Sequence, residues 1–234
     1  SSKKYIILLG IAEGMKYLHS HEIIHGNLKP ENILLDNNLY PHISDYYEFK
    51  MAKIFHSTNL IEIYNCTPTY LSPEILSGDF YSNKTDVYSF SLIAYELLSG
   101  NQPYSGYETH DQMKKDVNDG KRPDILTIKN KRLQKFIQKC WSAEASDRPS
   151  FEDIVEEIKS GKFRKSMKVD EKEISDYLTM ISDDLEIEES SSGTFDVKIK
   201  DDAGEDIECL ALCKKAMRFY KGEGVSVNKE EACR

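Results

Sequence analysis

The sequence contains one tryptophan and five cysteines among 234 residues, no excess of positive charge and no long apolar run. Each shortage excludes something. The longest uninterrupted apolar stretch, Tyr5 to Leu9, falls far short of the roughly 20 residues that cross a bilayer, so a membrane is not an expected partner. Cys66, Cys140, Cys209, Cys213 and Cys233 are odd in number and scattered, without the paired spacing of a zinc site or a disulfide framework. They read as free thiols, which suits a reducing compartment and makes cytoplasmic the expected location. The six histidines form no ligand cluster. With 31 basic against 40 acidic side chains and a net charge of −9, nothing favours a nucleic-acid partner.

What the chain does have is enough apolar content, 39 %, for an ordinary core, and a charge that is unevenly placed. Residues 1–168 balance 22 basic with 22 acidic side chains, whereas residues 169–206 hold 14 acidic and three basic. From about Gly161 to Asp206 the composition is dominated by Asp, Glu, Ser and Lys and includes Ser190-Ser191-Ser192-Gly193. So few apolar groups at so high a charge do not offset the entropy of ordering, and residues 162–206 are expected to be a disordered acidic linker. Within it Ile174, Tyr177, Leu178 and Ile181 suggest one or two transient amphipathic turns.

Periodicity organises the rest. Ile7, Ile11, Met15 and Leu18 share one stripe and predict a helix over residues 4–19. The chain begins with Ser rather than Met, inside what reads as a helix, so the sequence is expected to be an incomplete or trimmed gene product. Ile33-Leu34-Leu35, the turn signal Asp36-Asn37-Asn38 and Pro41-His42-Ile43-Ser44 predict two short strands. The stretch from Asp45 to Glu74 has little periodicity and reads as a mobile loop. A helix over Asp86–Ser99 is predicted, with Thr85 as N-cap and Gly100 as its stop. Glu108–Asp119, Lys131–Trp141 and Phe151–Lys159 predict three more, the last capped by Ser150.

Five segments, in order, carry a resemblance. His25-Gly26-Asn27-Leu28-Lys29-Pro30-Glu31-Asn32 resembles the catalytic loop H-R-D-L-K-P-E-N of eukaryotic protein kinases. Asp45-Tyr46-Tyr47 stands eighteen residues after Asn27, where that family has D-F-G. Ser72-Pro73-Glu74 resembles A-P-E, and Asp86-Val87-Tyr88-Ser89-Phe90-Ser91 resembles D-V-W-S-F-G. Cys140-Trp141 followed by Arg148-Pro149-Ser150-Phe151 completes the set, and with Gly120-Lys121-Arg122-Pro123 is most similar to the tyrosine kinase-like group. Lys29 fits the Ser/Thr-type pattern. The resemblance implies a mainly α fold over residues 1–161: a protein-kinase-like C-terminal lobe, helical with a short β-hairpin beside the catalytic loop. The small lobe, with its Gly-rich loop and V-A-I-K lysine, is absent from this chain. Ala211, Ala216 and Tyr220-Lys221-Gly222-Glu223-Gly224 resemble a Sel-one-type repeat, so residues 207–234 are read as an incomplete αα repeat, against the alternative of a chance amphipathic helix.

The resemblance also implies roles, residue by residue. Asn27 occupies the general-base position, where a carboxamide has no basic lone pair at neutral pH and cannot accept a substrate proton. Lys29 would neutralise the transferred phosphate, or is a surface lysine if the chemistry is lost. Asn32 and Asp45 match the magnesium and Mg-ATP ligands; the competing reading is that Asn32 bonds its own loop and Asp45 caps a turn. His25 belongs to the loop motif, Thr67 to the substrate-docking loop, and Asp86 to the helix that receives loop amides. Glu74 and Arg148 match a buried ion pair. Gly26 stands in place of the loop arginine, while Tyr47 and Cys66 each replace a glycine. Loss of chemical groups beside intact scaffold groups makes the leading expectation a pseudokinase working through protein partners, with no cofactor for this chain. The alternative is a Ser/Thr kinase using Mg-ATP once a small lobe is supplied.

Overall fold

In a computed structural model of the chain, the described residues are 1–45 and 68–190, with side chains to residue 182. The sequence expectations for Tyr47, Cys66 and Thr67, and for the repeat over residues 207–234, lie outside the described residues.

Helix α1 (Ser2–Ser20) buries Tyr5, Ile6, Leu8, Leu9, Ile11, Ala12, Met15 and Leu18, a wide apolar face turned into the lobe, while Lys3 and Lys16 stay solvent-accessible. Strands β1 (Ile33–Leu35) and β2 (Pro41–Ile43) pair antiparallel in the register Ile33 to Ile43 and Leu35 to Pro41. Asp36 closes their turn, its Oδ1 accepting the amides of Asn38 and Tyr40, each at 2.8 Å. The hairpin packs across α1, and glycine makes the close approach possible: a Cβ at Gly10 would collide with the Pro41 ring and the Tyr177 hydroxyl. Glycine in a helix interior costs about 1 kcal/mol relative to alanine, so this contact is what gives Gly10 a structural reason.

After the short helix α2 (Pro73–Leu76), helix α3 (Asn83–Ser99) runs through the centre of the lobe, with every residue from Thr85 to Tyr95 buried. Its start differs from the sequence expectation. Ser82, in extended backbone, is the N-cap: its Oγ accepts the Lys84 amide at 3.2 Å, and Thr85 sits three residues in, accepting the Ser82 amide at 3.4 Å. A reciprocal cap of this kind satisfies two orphan amides and outcompetes a start at Asp86. Gly100, with φ of 78°, ends the helix in the left-handed region.

Helix α4 (His110–Asn118) starts two residues later than expected because Thr109 caps it, accepting the Gln112 amide. Helices α5 (Lys131–Cys140) and α6 (Phe151–Lys159) match their expected positions closely, and Ser150 caps α6 through a reciprocal pair with Asp153. Leu133, Phe136, Ile137 and Cys140 form the buried face of α5, which packs against α3 with Phe90 and Phe136 edge to face. Burial pushes the Cys140 thiol well above its ordinary range, as suits an inert core cysteine.

The expected disordered linker is corrected over its described part. Residues 161–190 form helices α7 (Gly161–Met167) and α8 (Glu171–Ser190), and Phe163, Met167, Ile174 and Tyr177 are all buried in the main core. Composition averaged over the segment hid this, because a few apolar side chains at helical spacing suffice once α1 and α5 supply a surface to receive them. Residues 191–206 lie outside the described part.

Candidate functional site

The loop from His25 to Asn32 is held from below by Asp86, the fourth residue of α3. This carboxylate is 1 % exposed and accepts the His25 amide on Oδ2 and the Gly26 amide on Oδ1, each at 2.9 Å. Nε2 of His19, in the last turn of α1, lies 2.8 Å from Oδ2 and donates to it. Three donors satisfy the buried charge, which would otherwise be costly to desolvate. Gly26 holds φ of 73°. A residue with a Cβ is strained there by roughly 1–2 kcal/mol, so glycine at this position stabilises the bend that delivers both amides to Asp86.

His25 fixes the other side of the loop. It is fully buried, Nε2 donates to the Ser44 carbonyl at 3.0 Å, and Nδ1 accepts the Asn27 amide at 3.2 Å. One nitrogen donating and the other accepting defines a neutral imidazole with its proton on Nε2. Burial lowers the His25 pKa, and the nearby Asp86 charge and the Ser44 carbonyl only partly oppose it. The histidine thereby staples the loop to the end of β2, where Asp45 follows.

Asn32 is buried, and its Nδ2 donates to the Asn27 carbonyl at 2.7 Å. The Asn32 carbonyl accepts the Ser44 amide at 2.9 Å, and Ser44 Oγ donates to Asp45 Oδ2 at 3.0 Å. Asp45 is exposed and holds φ of 62°, a conformation aspartate tolerates better than most residues. Asn27, Asn32, Ser44 and Asp45 are thus joined in one hydrogen-bonded chain. Lys29 is half-buried in the same loop. Among the described residues no cluster of three or more His, Cys, Asp or Glu side chains can hold a metal ion alone. The amide oxygen of Asn32 and the carboxylate of Asp45 are nevertheless hard ligands of the kind magnesium takes, with phosphate oxygens and water completing its shell.

Glu74 and Arg148 form the second anchor. The guanidinium meets the carboxylate as a fork, Nη1 to Oε1 at 2.6 Å and Nη2 to Oε2 at 2.9 Å. The remaining donors reach the carbonyls of Lys84, Ser142 and Ala143 at 3.0, 3.0 and 3.2 Å. Burial works to raise the Glu74 pKa, but its hydrogen bonds and charge pairing with Arg148 outweigh burial and hold it below the ordinary glutamate value. Arg148 also lies over the Tyr88 ring, 5.1 Å from its centroid, with Arg122 at 5.2 Å.

His25, Asn27, Asn32, Asp45 and Asp86 therefore come together, while Glu74 and Arg148 form a separate anchor. Sequence reading missed His19, Ser44 and the conformational role of Gly26. His19 carried no signal because its partner, Asp86, lies 67 positions away. Ser44 acts mainly through its backbone, which no side-chain pattern marks. Gly26, noted only for the arginine it lacks, is better described by the bend it permits.

The family model described as protein tyrosine and serine/threonine kinase matches residues 1–158. The chain is 37 % identical over 161 residues to serine/threonine-protein kinase VIK of Arabidopsis thaliana, covering 64 % of this chain and 36 % of that protein. It is 36 % identical over 155 residues to a putative serine/threonine-protein kinase/receptor of Acanthamoeba polyphaga mimivirus, covering 65 % and 9 %. It is also 36 % identical over 152 residues to the RGS domain-containing serine/threonine-protein kinase A of Dictyostelium discoideum, covering 65 % and 13 %. The match thus spans little more than a third, at most, of these relatives' own lengths. With the anchors of its loop in place and its first two-thirds matched end to end, the chain belongs to the protein tyrosine and serine/threonine kinase family.

Proposed function

We propose that this chain is the C-terminal lobe of a pseudokinase of the tyrosine kinase-like group, acting by contact with protein partners rather than by phosphoryl transfer. The observation that carries this reading is Asn27: a carboxamide stands at the base position of a loop whose supports, Asp86 and His25, remain engaged. Asn27 can orient a hydroxyl but cannot take its proton. The Nδ2 bond of Asn32 to the loop backbone gives that residue a structural reason to be present whether or not it meets a metal. Where nucleotide is bound, Asn32 and Asp45 would hold the magnesium that neutralises phosphate charge, and Lys29 would approach the transferred group. The alternative, a Ser/Thr kinase with residual activity, draws support from the same three residues, since phosphoryl transfer depends chiefly on positioning and electrostatics.

A phosphotransfer assay on the complete gene product separates the two. No turnover is expected in the native protein or in Asn27→Asp, because Gly26 still stands where the family has the arginine that anchors the activation segment and Tyr47 where it has the glycine of D-F-G. Turnover in Asn27→Asp above that of an Asp45→Ala control refutes the pseudokinase reading as stated. Turnover in the native protein, lost in Asp45→Ala, establishes the alternative.

A further inference from the structure

Residues 161–182 lie beyond the stretch matched by the kinase family, yet they pack onto the element that presents the candidate site. Tyr177 of α8 is 3 % exposed, and its ring lies 4.8 Å from that of Tyr40 in the hairpin turn. The hydroxyl end fits into the notch left by Gly10, beside Pro41 at the start of β2. Ile174, one turn earlier, is fully buried. Polar contacts tie down the start of the helix: Ser2 Oγ accepts the Asp170 amide at 2.9 Å, and Lys3 Nζ meets Glu173 at 2.7 Å. The same Lys3 donates to the Asn38 carbonyl at 2.9 Å and lies 5.4 Å from the Tyr40 ring, so one ammonium joins α8 to the hairpin turn.

The hairpin has strands of only three residues each. A two-stranded ribbon that short has little stability of its own and relies on what packs against it. Asn32 immediately precedes β1, and Asp45 follows two residues after β2. We propose that α8 is a latch: docked, Tyr177 and Lys3 hold the hairpin and so fix Asn32 and Asp45 relative to each other, and undocking releases both. The seat is suited to reversible opening. Among the described side chains of α8 only Ile174 and Tyr177 are buried, Leu178, Met180 and Ile181 pack against the core while partly exposed, and the Lys3–Glu173 pair at the rim is solvent-accessible. Segments held by so few buried apolar contacts open at lower free energy than the core. The functional meaning rests on reading residues 25–45 as a kinase catalytic loop and hairpin, but the latch itself is a statement about coupled opening and is tested without any activity.

Hydrogen exchange of the full chain at neutral pH is the test, comparing the native protein with Tyr177→Ala. Exchange is expected to rise at least tenfold both in α8 (residues 171–182) and in the hairpin (residues 33–44), while α3, α5 and α6 keep their protection. Faster exchange in α8 with an unchanged hairpin overturns the proposal, because the hairpin would then stand without the helix. Unchanged exchange in α8 overturns it too, since Tyr177 would not be what seats the helix. If Tyr177→Ala does not fold, Tyr177→Leu, which keeps an apolar side chain but loses the ring contact with Tyr40 and the hydroxyl end in the Gly10 notch, is judged by the same criteria. Loss of folding in both variants makes Tyr177 part of the global core and refutes the latch.

Discussion

Replacing Arg148 with alanine should destabilise this chain more than any change in the catalytic loop. The side chain is fully buried, and its five donors go to the two Glu74 oxygens and three backbone carbonyls. Glu74 belongs to α2, Lys84 to the start of α3, and Ser142 and Ala143 to the turn after α5, so one guanidinium ties three segments together. Breaking a buried pair by removing one partner costs about 3–5 kcal/mol, a large share of a domain stability of roughly 5–15 kcal/mol. The effect carries a pH signature. In the native protein the Glu74 pKa is depressed, so the pair contributes stability above the unfolded glutamate value of about 4.5 that is lost as pH falls through the folded value. Without Arg148 the largest opposing influence is gone and burial outweighs the remaining hydrogen bonds from the Glu74 amide and Ser72, so the Glu74 pKa rises and the variant regains part of its deficit when the carboxyl is protonated. Urea titrations at pH 7 and near pH 4 should therefore show a deficit of at least about 3 kcal/mol at pH 7 that narrows in acid. Arg148→Lys should recover little, because a point charge cannot reproduce the fork or reach all three carbonyls. A deficit under about 1 kcal/mol at pH 7, or one that does not change with pH, would refute the argument that a desolvated carboxylate is being left unpaired.

Asn32→Ala should cost about 1–3 kcal/mol, since it empties a buried site and strands the half-buried Asn27 carbonyl, whereas Lys29→Ala should cost less than about 1 kcal/mol; equal losses in urea titration would remove the structural role given to Asn32. The His25 pKa is lowered on folding, so its contribution is complete above the unfolded value of about 6.5 and is lost as pH falls from there through the folded value. The midpoint of urea unfolding should therefore fall between about pH 7.5 and pH 5.5, and a His25→Asn variant should show a shallower decline; parallel declines would mean that other groups dominate.

The helical character of the lobe, the hairpin, and the order of its motifs were legible in the sequence because they depend on local patterns: Leu133, Phe136, Ile137 and Cys140 form a stripe whatever they pack against, and Ser150 caps α6 through its near neighbours. The same locality made Asn27 readable, since a missing carboxylate is a fact of composition. Partnerships across the chain were less accessible. Glu74 and Arg148 were paired in advance only through a family resemblance; nothing in their 74-residue separation specifies the fork or the three carbonyls that complete it. His19 became a partner of Asp86 only when α1 was laid against α3. Gly26 was read as a loss, and its positive φ shows instead a backbone requirement that one-dimensional sequence does not display. The acidic segment is where composition misled most. Average charge argued for disorder, but Phe163, Ile174 and Tyr177 needed only a receiving surface, and that surface is made from α1, α5 and the hairpin together. Burial is a property of the assembled lobe, and a notch such as the one at Gly10 exists only once distant elements have met around it.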